Sequence, residues 1–159
     1  MGLPECILNR GRVSKFNIPG PTLGPKIIEI LREKDLFGTC VITSLDLKSL
    51  RQAEEMDPRV VSGLIVTKAL GDPTNLGVDF LSVNQNTVTR RMVRQAKKRG
   101  LKIHVWTVND AESFERMADR GVHVVISDHP AEMAALRRSR SALSSPEMIA
   151  LRLRRLLLR

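Results

Sequence analysis

The sequence predicts an α/β fold built from parallel β/α repeats, and three observations carry that prediction. Five short runs rich in β-branched residues recur along the middle of the chain, each apolar on both faces. Strands covered by helices look like this. Stretches with helical spacing of apolar residues separate them. The pairs Arg99-Gly100 and Arg120-Gly121 stand 21 residues apart, each just ahead of an apolar run. A regular repeat of this kind makes a parallel sheet or a barrel.

The strands are expected at CVITS (Cys40 to Ser44), SGLIV (Ser62 to Val66), DFLSV (Asp79 to Val83), IHVW (Ile103 to Trp106) and HVVIS (His123 to Ser127). An earlier run, Lys15 to Ile18, is a candidate sixth strand cut off at Pro19. In the first helix Pro25 suits the opening turn, with Ile27, Ile30 and Leu31 on one face. In the second legible helix Val88, Met92, Val93 and Ala96 form the apolar stripe, and Gly100 stops it. In the third, Asn109 or Asp110 can cap, Phe114, Met117 and Ala118 face inward, and Gly121 ends the turn. Asp46 likewise reads as a helix-start residue.

The last stretch differs. Residues 137–159 open as a Ser/Arg-rich linker and end as a Leu/Arg helix beginning near Pro146. Leu151, Leu153, Leu156, Leu157 and Leu158 are interleaved with Arg152, Arg154, Arg155 and Arg159. Packing on the domain is one expectation, and contact of 146–159 with an anionic membrane surface is the other. Domain organisation is therefore a partial barrel over 1–136 followed by this linker and basic amphipathic helix.

Composition bounds the rest. A chain of 159 residues, 42% hydrophobic and 27% charged, is that of one globular domain. The net charge is +9, but residues 137–159 hold seven Arg against one Glu, leaving only +3 for the preceding 136. A nearly neutral body with a basic end does not predict nucleic-acid binding. No apolar run reaches the ~18 residues of a membrane span, and no secretory leader is visible, so a cytoplasmic location is expected, with membrane association through the basic end. Cys6 and Cys40 have no metal-site spacing and read as two reduced structural thiols.

Two passages carry a resemblance. IHVWTVND, followed after one helix by RGVHVVISDHPAEM, resembles the closing strands of the glycerophosphodiester phosphodiesterase family. CVITSLDLKSLRQAEEMDP and SGLIVTKALGDPTNLGVDFLSVNQNTVTRRMVRQAKKRGLKIHVW resemble its preceding units in order and spacing, so the likeness covers residues 12–136. It is similar to members whose catalytic domain follows a membrane region. The resemblance implies a (β/α)8 TIM barrel with its site at the C-terminal strand ends. It also implies hydrolysis of glycerophosphodiesters to glycerol 3-phosphate and an alcohol. In the family a divalent cation, Ca²⁺ or Mg²⁺, neutralises the phosphodiester while two histidines move protons.

The family's catalytic motifs are not matched. Asn9-Arg10-Gly11 stands in place of a His-Arg-Gly only superficially, and no Glu-Asn loop follows. Phe16-Asn17-Ile18 matches the start of a metal-binding strand, but Pro19 occupies the position of its Glu and Pro21 that of its Lys. His104, His123 and His129 match neither catalytic histidine and read as core, cap or surface residues. No catalytic residue, metal ligand or cofactor is therefore expected in this chain. Five or six strands of the eight imply an incomplete barrel, from a truncated chain, a partner chain that completes it, or a degenerate closure.

The expected function is thus glycerophosphodiester phosphodiesterase-like, in a chain catalytically incomplete by itself. A non-catalytic β/α binding or regulatory module, or a peripheral membrane protein, is the alternative. Two residues are candidates for binding a glycerophosphodiester-type molecule. Asp128 matches the family's final-strand Asp and could equally cap the helix near Pro130. Strand alternation puts His104, Trp106 and Val108 on one face, and aliphatic residues favour the helix-covered face, so Trp106 is expected to point into the barrel. By resemblance it stacks on the organic part of the substrate.

Overall fold

The computed structural model describes residues 5–7, 14–17, 24–67, 72–144, and 146, 147, 149, 150, 153 and 157. Asn9–Gly11, Ile18, Pro19, Pro21, Leu151, Leu156, Leu158 and Arg152, Arg154, Arg155 and Arg159 lie outside them, as does the side chain of Cys6. The order is β1 (Glu5–Ile7), β2 (Ser14–Asn17), α1 (Gly24–Glu33), β3 (Cys40–Ser44), α2 (Leu47–Met56), β4 (Ser62–Val66), a 3-10 turn at Pro73–Asn75, β5 (Phe80–Asn84), α3 (Arg90–Lys98), β6 (Lys102–Trp106), α4 (Ala111–Arg120), β7 (Val124–Ile126) and α5 (Pro130–Ser141).

All the strands pair in parallel, in the order β1-β7-β6-β5-β4-β3-β2. The five central strands fall where the sequence predicts, β2 is the candidate sixth, and β1 is a seventh with no sequence signal. Ile42, Leu64, Val66, Leu81, Val83, Ile103, Val105 and Val125 form one buried cluster with the helix side chains Ile28, Leu31, Leu50, Ala53, Val93, Phe114 and Met117. The register lines up the alternate residues, Thr43, Gly63, Phe80, Ser82, His104 and Val124, on the opposite face. A parallel sheet with its apolar helix contacts on a single face is part of a barrel, not a doubly wound sheet. The incomplete barrel expected from the sequence is what the chain forms.

Local chemistry explains the elements. Asp46 caps α2 by accepting from the Lys48 and Ser49 amides at 3.2 and 2.9 Å, and Asp110 caps α4 through the Ser113 amide at 2.7 Å. Each cap is worth about 1 kcal/mol. The hydrogen bonds from Ser49 and Lys48 hold the Asp46 carboxyl below its ordinary range, and those from Ser113 do the same for Asp110. Gly121, at φ 80°, closes α4 in the left-handed conformation. In α1 the buried residues are Ile27, Ile28 and Leu31, whereas Ile30 is exposed. The expected stripe differs at one position because three apolar residues of four leave its direction open, and Ile28, not Ile30, joins the buried core cluster.

α5 runs through to Ser141, past the division expected at residue 136. What extends it is Arg140, 4% exposed, whose guanidinium binds Glu115 and Asp119 on α4. Residues 137–141 are thus helix docked on the body. Among the described residues no helix is long and apolar enough to cross a membrane.

Candidate functional site

The inner face of the sheet carries polar and aromatic side chains in layers. In the deeper layer, Phe80 on β5 stacks on His104 of β6, with ring centroids 4.0 Å apart and planes at 16°. Gly63 on β4 makes room for that ring: a Cβ there would come within 2.1 Å of Phe80 Cε2. An isolated glycine inside a strand signals such a close approach. His104 is 6% exposed and sits in register between Ser82 and Val124. It is a packed part of the floor.

Two residues further along β6, Trp106 ends the strand, half-buried and in register with Asn84 of β5. Strand alternation assigns it to the face of His104, whereas Val108, beyond the end of the strand, joins the helix-side core cluster. Its peptide bond to Thr107 is cis. Both sides of the turn after Trp106 are fastened. On the β5 side, the Gln85 amide donates to the Trp106 carbonyl at 2.8 Å, and Gln85 Nε2 donates to the Thr107 carbonyl at 2.5 Å. On the β7 side, the Val108 amide donates to the Ile126 carbonyl at 3.0 Å. Asn109 Oδ1 accepts from Ser127 Oγ at 3.1 Å and the Asp128 amide at 3.0 Å, and Asn109 Nδ2 donates to Asp128 Oδ2 at 2.8 Å.

Trp106 and Asp128 therefore stand on adjacent strand ends at one rim, tied through the segment 107–109. Asp128 does not cap α5: the N-cap position is His129, with no side-chain cap, and the Asp128 carboxylate is held by Asn109. The remaining exposed oxygen surface of Asp128 can accept from a hydroxyl, and the indole can pack on an aliphatic edge. Gln85 and Asn109 went unassigned in the sequence as positioning residues. Their signal is a polar cluster directly after an apolar run, in VNQN as in TVND.

Of the other histidines, His123 lies at the opposite end of β7, and His129 follows Asp128 directly, its amide donating to Ser127 Oγ at 2.9 Å. His123 Nδ1 accepts from the Ile103 amide at 3.1 Å, at the start of β7, and burial followed by Lys102 and Lys97 pushes its pKa down. His129 is exposed, with Nδ1 3.8 Å from Glu132. A hard divalent cation needs several converging oxygens. Among the described residues no group of three or more His, Cys, Asp or Glu stands together. The strand-end carboxylates are committed, Asp46 and Asp110 to helix caps and Asp128 to Asn109. These residues do not fit a metal centre by themselves.

Comparison with known proteins bears on this rim. Residues 23–132 match the model of the glycerophosphoryl diester phosphodiesterase family. A glycerophosphodiester phosphodiesterase of Caldanaerobacter subterraneus is 28% identical over 114 residues, spanning 69% of this chain and 47% of that relative. A glycerophosphodiester phosphodiesterase of Parabacteroides distasonis superposes with a TM-score of 0.68 at 19% identity, over 81% of this chain and 58% of that one. An Oleispira antarctica phosphodiesterase, solved with the product sn-glycerol-3-phosphate, gives 0.61 at 20%, over 75% and 52%. This chain spans about half the length of the relatives it matches.

Proposed function

Since the chain belongs to the glycerophosphoryl diester phosphodiesterase family, we propose that it furnishes the wall of a phosphodiesterase site that holds the organic part of a glycerophosphodiester. The reaction served is addition of water to phosphorus with cleavage of the bond to the alcohol, which leaves with a proton, giving glycerol 3-phosphate. The observation that carries this reading is the single Trp, half-buried at the end of β6, at the C-terminal rim of a parallel sheet within the matched residues. Active sites of such barrels sit at that end.

The roles follow from chemistry. The Trp106 ring packs on the C–H edge of glycerol or of the leaving alcohol. Asp128 is an anion and would repel the phosphodiester, so it belongs on the hydroxyl side, accepting from glycerol O–H. Asn109 and Gln85 hold the two in place. The proton-moving and charge-neutralising groups of the reaction are not supplied by the described rim residues. The wall binds, and hydrolysis requires groups beyond these.

Trp106 is also the test. Titration of the whole chain with sn-glycerol 3-phosphate is expected to change the Trp emission saturably, and Asp128→Ala is expected to weaken the midpoint by about tenfold, the loss of one hydrogen bond to a charged group. An unchanged emission, together with unshifted amide resonances of residues 84–85 and 106–109, would remove the reading. In a coupled assay on glycerophosphocholine with Ca²⁺ or Mg²⁺, no release of glycerol 3-phosphate is expected. Turnover would show that this chain carries the full catalytic set.

A further inference from the structure

Beyond the body, helical residues continue at Pro146, Glu147, Ile149, Ala150, Leu153 and Leu157, and every one of them is exposed. Ile149 is 58%, Leu153 54% and Leu157 85% exposed. Steps of four residues on an α-helix advance each side chain by only about 40°, so these three make one stripe. Large aliphatic side chains lined up in water mark an interaction surface. In sequence, Arg152, Arg154, Arg155 and Arg159 stand among them, and residues 137–159 carry seven Arg against one Glu.

We infer that the segment 146–159 binds the surface of an anionic phospholipid bilayer, with Ile149, Leu153 and Leu157 entering the headgroup–acyl boundary. The basic composition of 137–159 supplies the attraction to lipid phosphates and carboxylates. Apolar stripe and cationic charge together define this class of ligand. A second copy of the chain fits less well, because two stretches that each carry seven Arg against one Glu repel. A nucleic acid would neutralise the charge but leave the leucines in water. The chain's own body does not cover the stripe, since its described members are exposed. This surface is independent of the phosphodiesterase reading and stands or falls without it.

Flotation of the full chain with phosphatidylcholine vesicles, with and without phosphatidylserine, tests the inference. The chain is expected to float with phosphatidylserine vesicles at low salt, and about tenfold less with phosphatidylcholine alone. Leu153→Ser with Leu157→Ser is expected to abolish flotation with an unchanged thermal midpoint, because both side chains are exposed. Arg152→Gln with Arg154→Gln and Arg155→Gln should remove the preference for phosphatidylserine. Absence of flotation, or flotation untouched by the leucine substitutions, overturns the inference. So does a dimer in the absence of lipid that those same substitutions dissolve, which would assign the stripe to a second copy.

Discussion

Asn109 grips Asp128 from both sides: its amide donates to the carboxylate at 2.8 Å while its carbonyl accepts from the same residue's backbone at 3.0 Å. One side chain at the end of β6 thus fixes a carboxylate at the end of β7. Asn109→Ala removes the acceptor of both the Asp128 amide and the Ser127 hydroxyl. A loss of about 1–2 kcal/mol is expected in urea unfolding, with a shift of Trp106 emission because the turn after the Trp loosens. An unaltered emission spectrum would mean that Gln85 alone positions the indole.

Gly63→Ala places a methyl group 2.1 Å from the Phe80 ring. The ring cannot tilt away freely, since its other neighbour is the stacked His104. Overpacking of this kind costs about 1–3 kcal/mol. Thermal unfolding checks it, and Gly63→Ala with Phe80→Leu should recover part of the loss by restoring space.

Arg140→Ala is expected to destabilise the chain by about 3 kcal/mol, as breaking a buried ion pair does. Its guanidinium is nearly inaccessible and serves two carboxylates, Glu115 and Asp119, which the alanine leaves facing each other on α4. Arg140→Met, which keeps the apolar stem but not the charge, should also be destabilising. A Met variant as stable as the parent would show that packing, not pairing, holds α5 to α4.

Acid should weaken the chain through Asp57. Hydrogen bonds from Arg59 and Arg32 hold this carboxyl far below its usual value. A depressed folded pKa means stability that is fully present above the unfolded value near 4 and is lost as pH falls through the folded one. Asp57→Asn is expected to be less stable at neutral pH. The gap to the parent should close as pH falls below about 4, followed by thermal midpoints across that range.

Much of the fold was legible because its strands are covered by helices on one side, which forces β-branched runs such as CVITS and SGLIV. The caps Asp46 and Asp110 were legible because a cap is a local bond. What escaped was set by distance along the chain. β1, Glu5–Ile7, is three residues with no periodicity, and its existence depends on β7. The ion pairs of Arg140 join it to partners 21 and 25 residues earlier, which no local pattern announces. The place of Trp106 at the end of β6 could be read from the apolar run that it closes. The Asn109 clasp on Asp128 spans 19 residues and two strands, and no local pattern announces it.

The pairing of Glu5 with Val124 also has a bearing on folding. β1 finds its neighbour only when β7 is available, after every β/α unit between them. Until then the β7 position beside β1 is empty and the early segment has no native edge to join. Closure over so long a span is slow, and unsatisfied edges invite wrong partners. The β1–β7 pairing is therefore the one contact in the sheet that joins strands from opposite ends of the strand sequence, and the one whose formation costs the most chain closure.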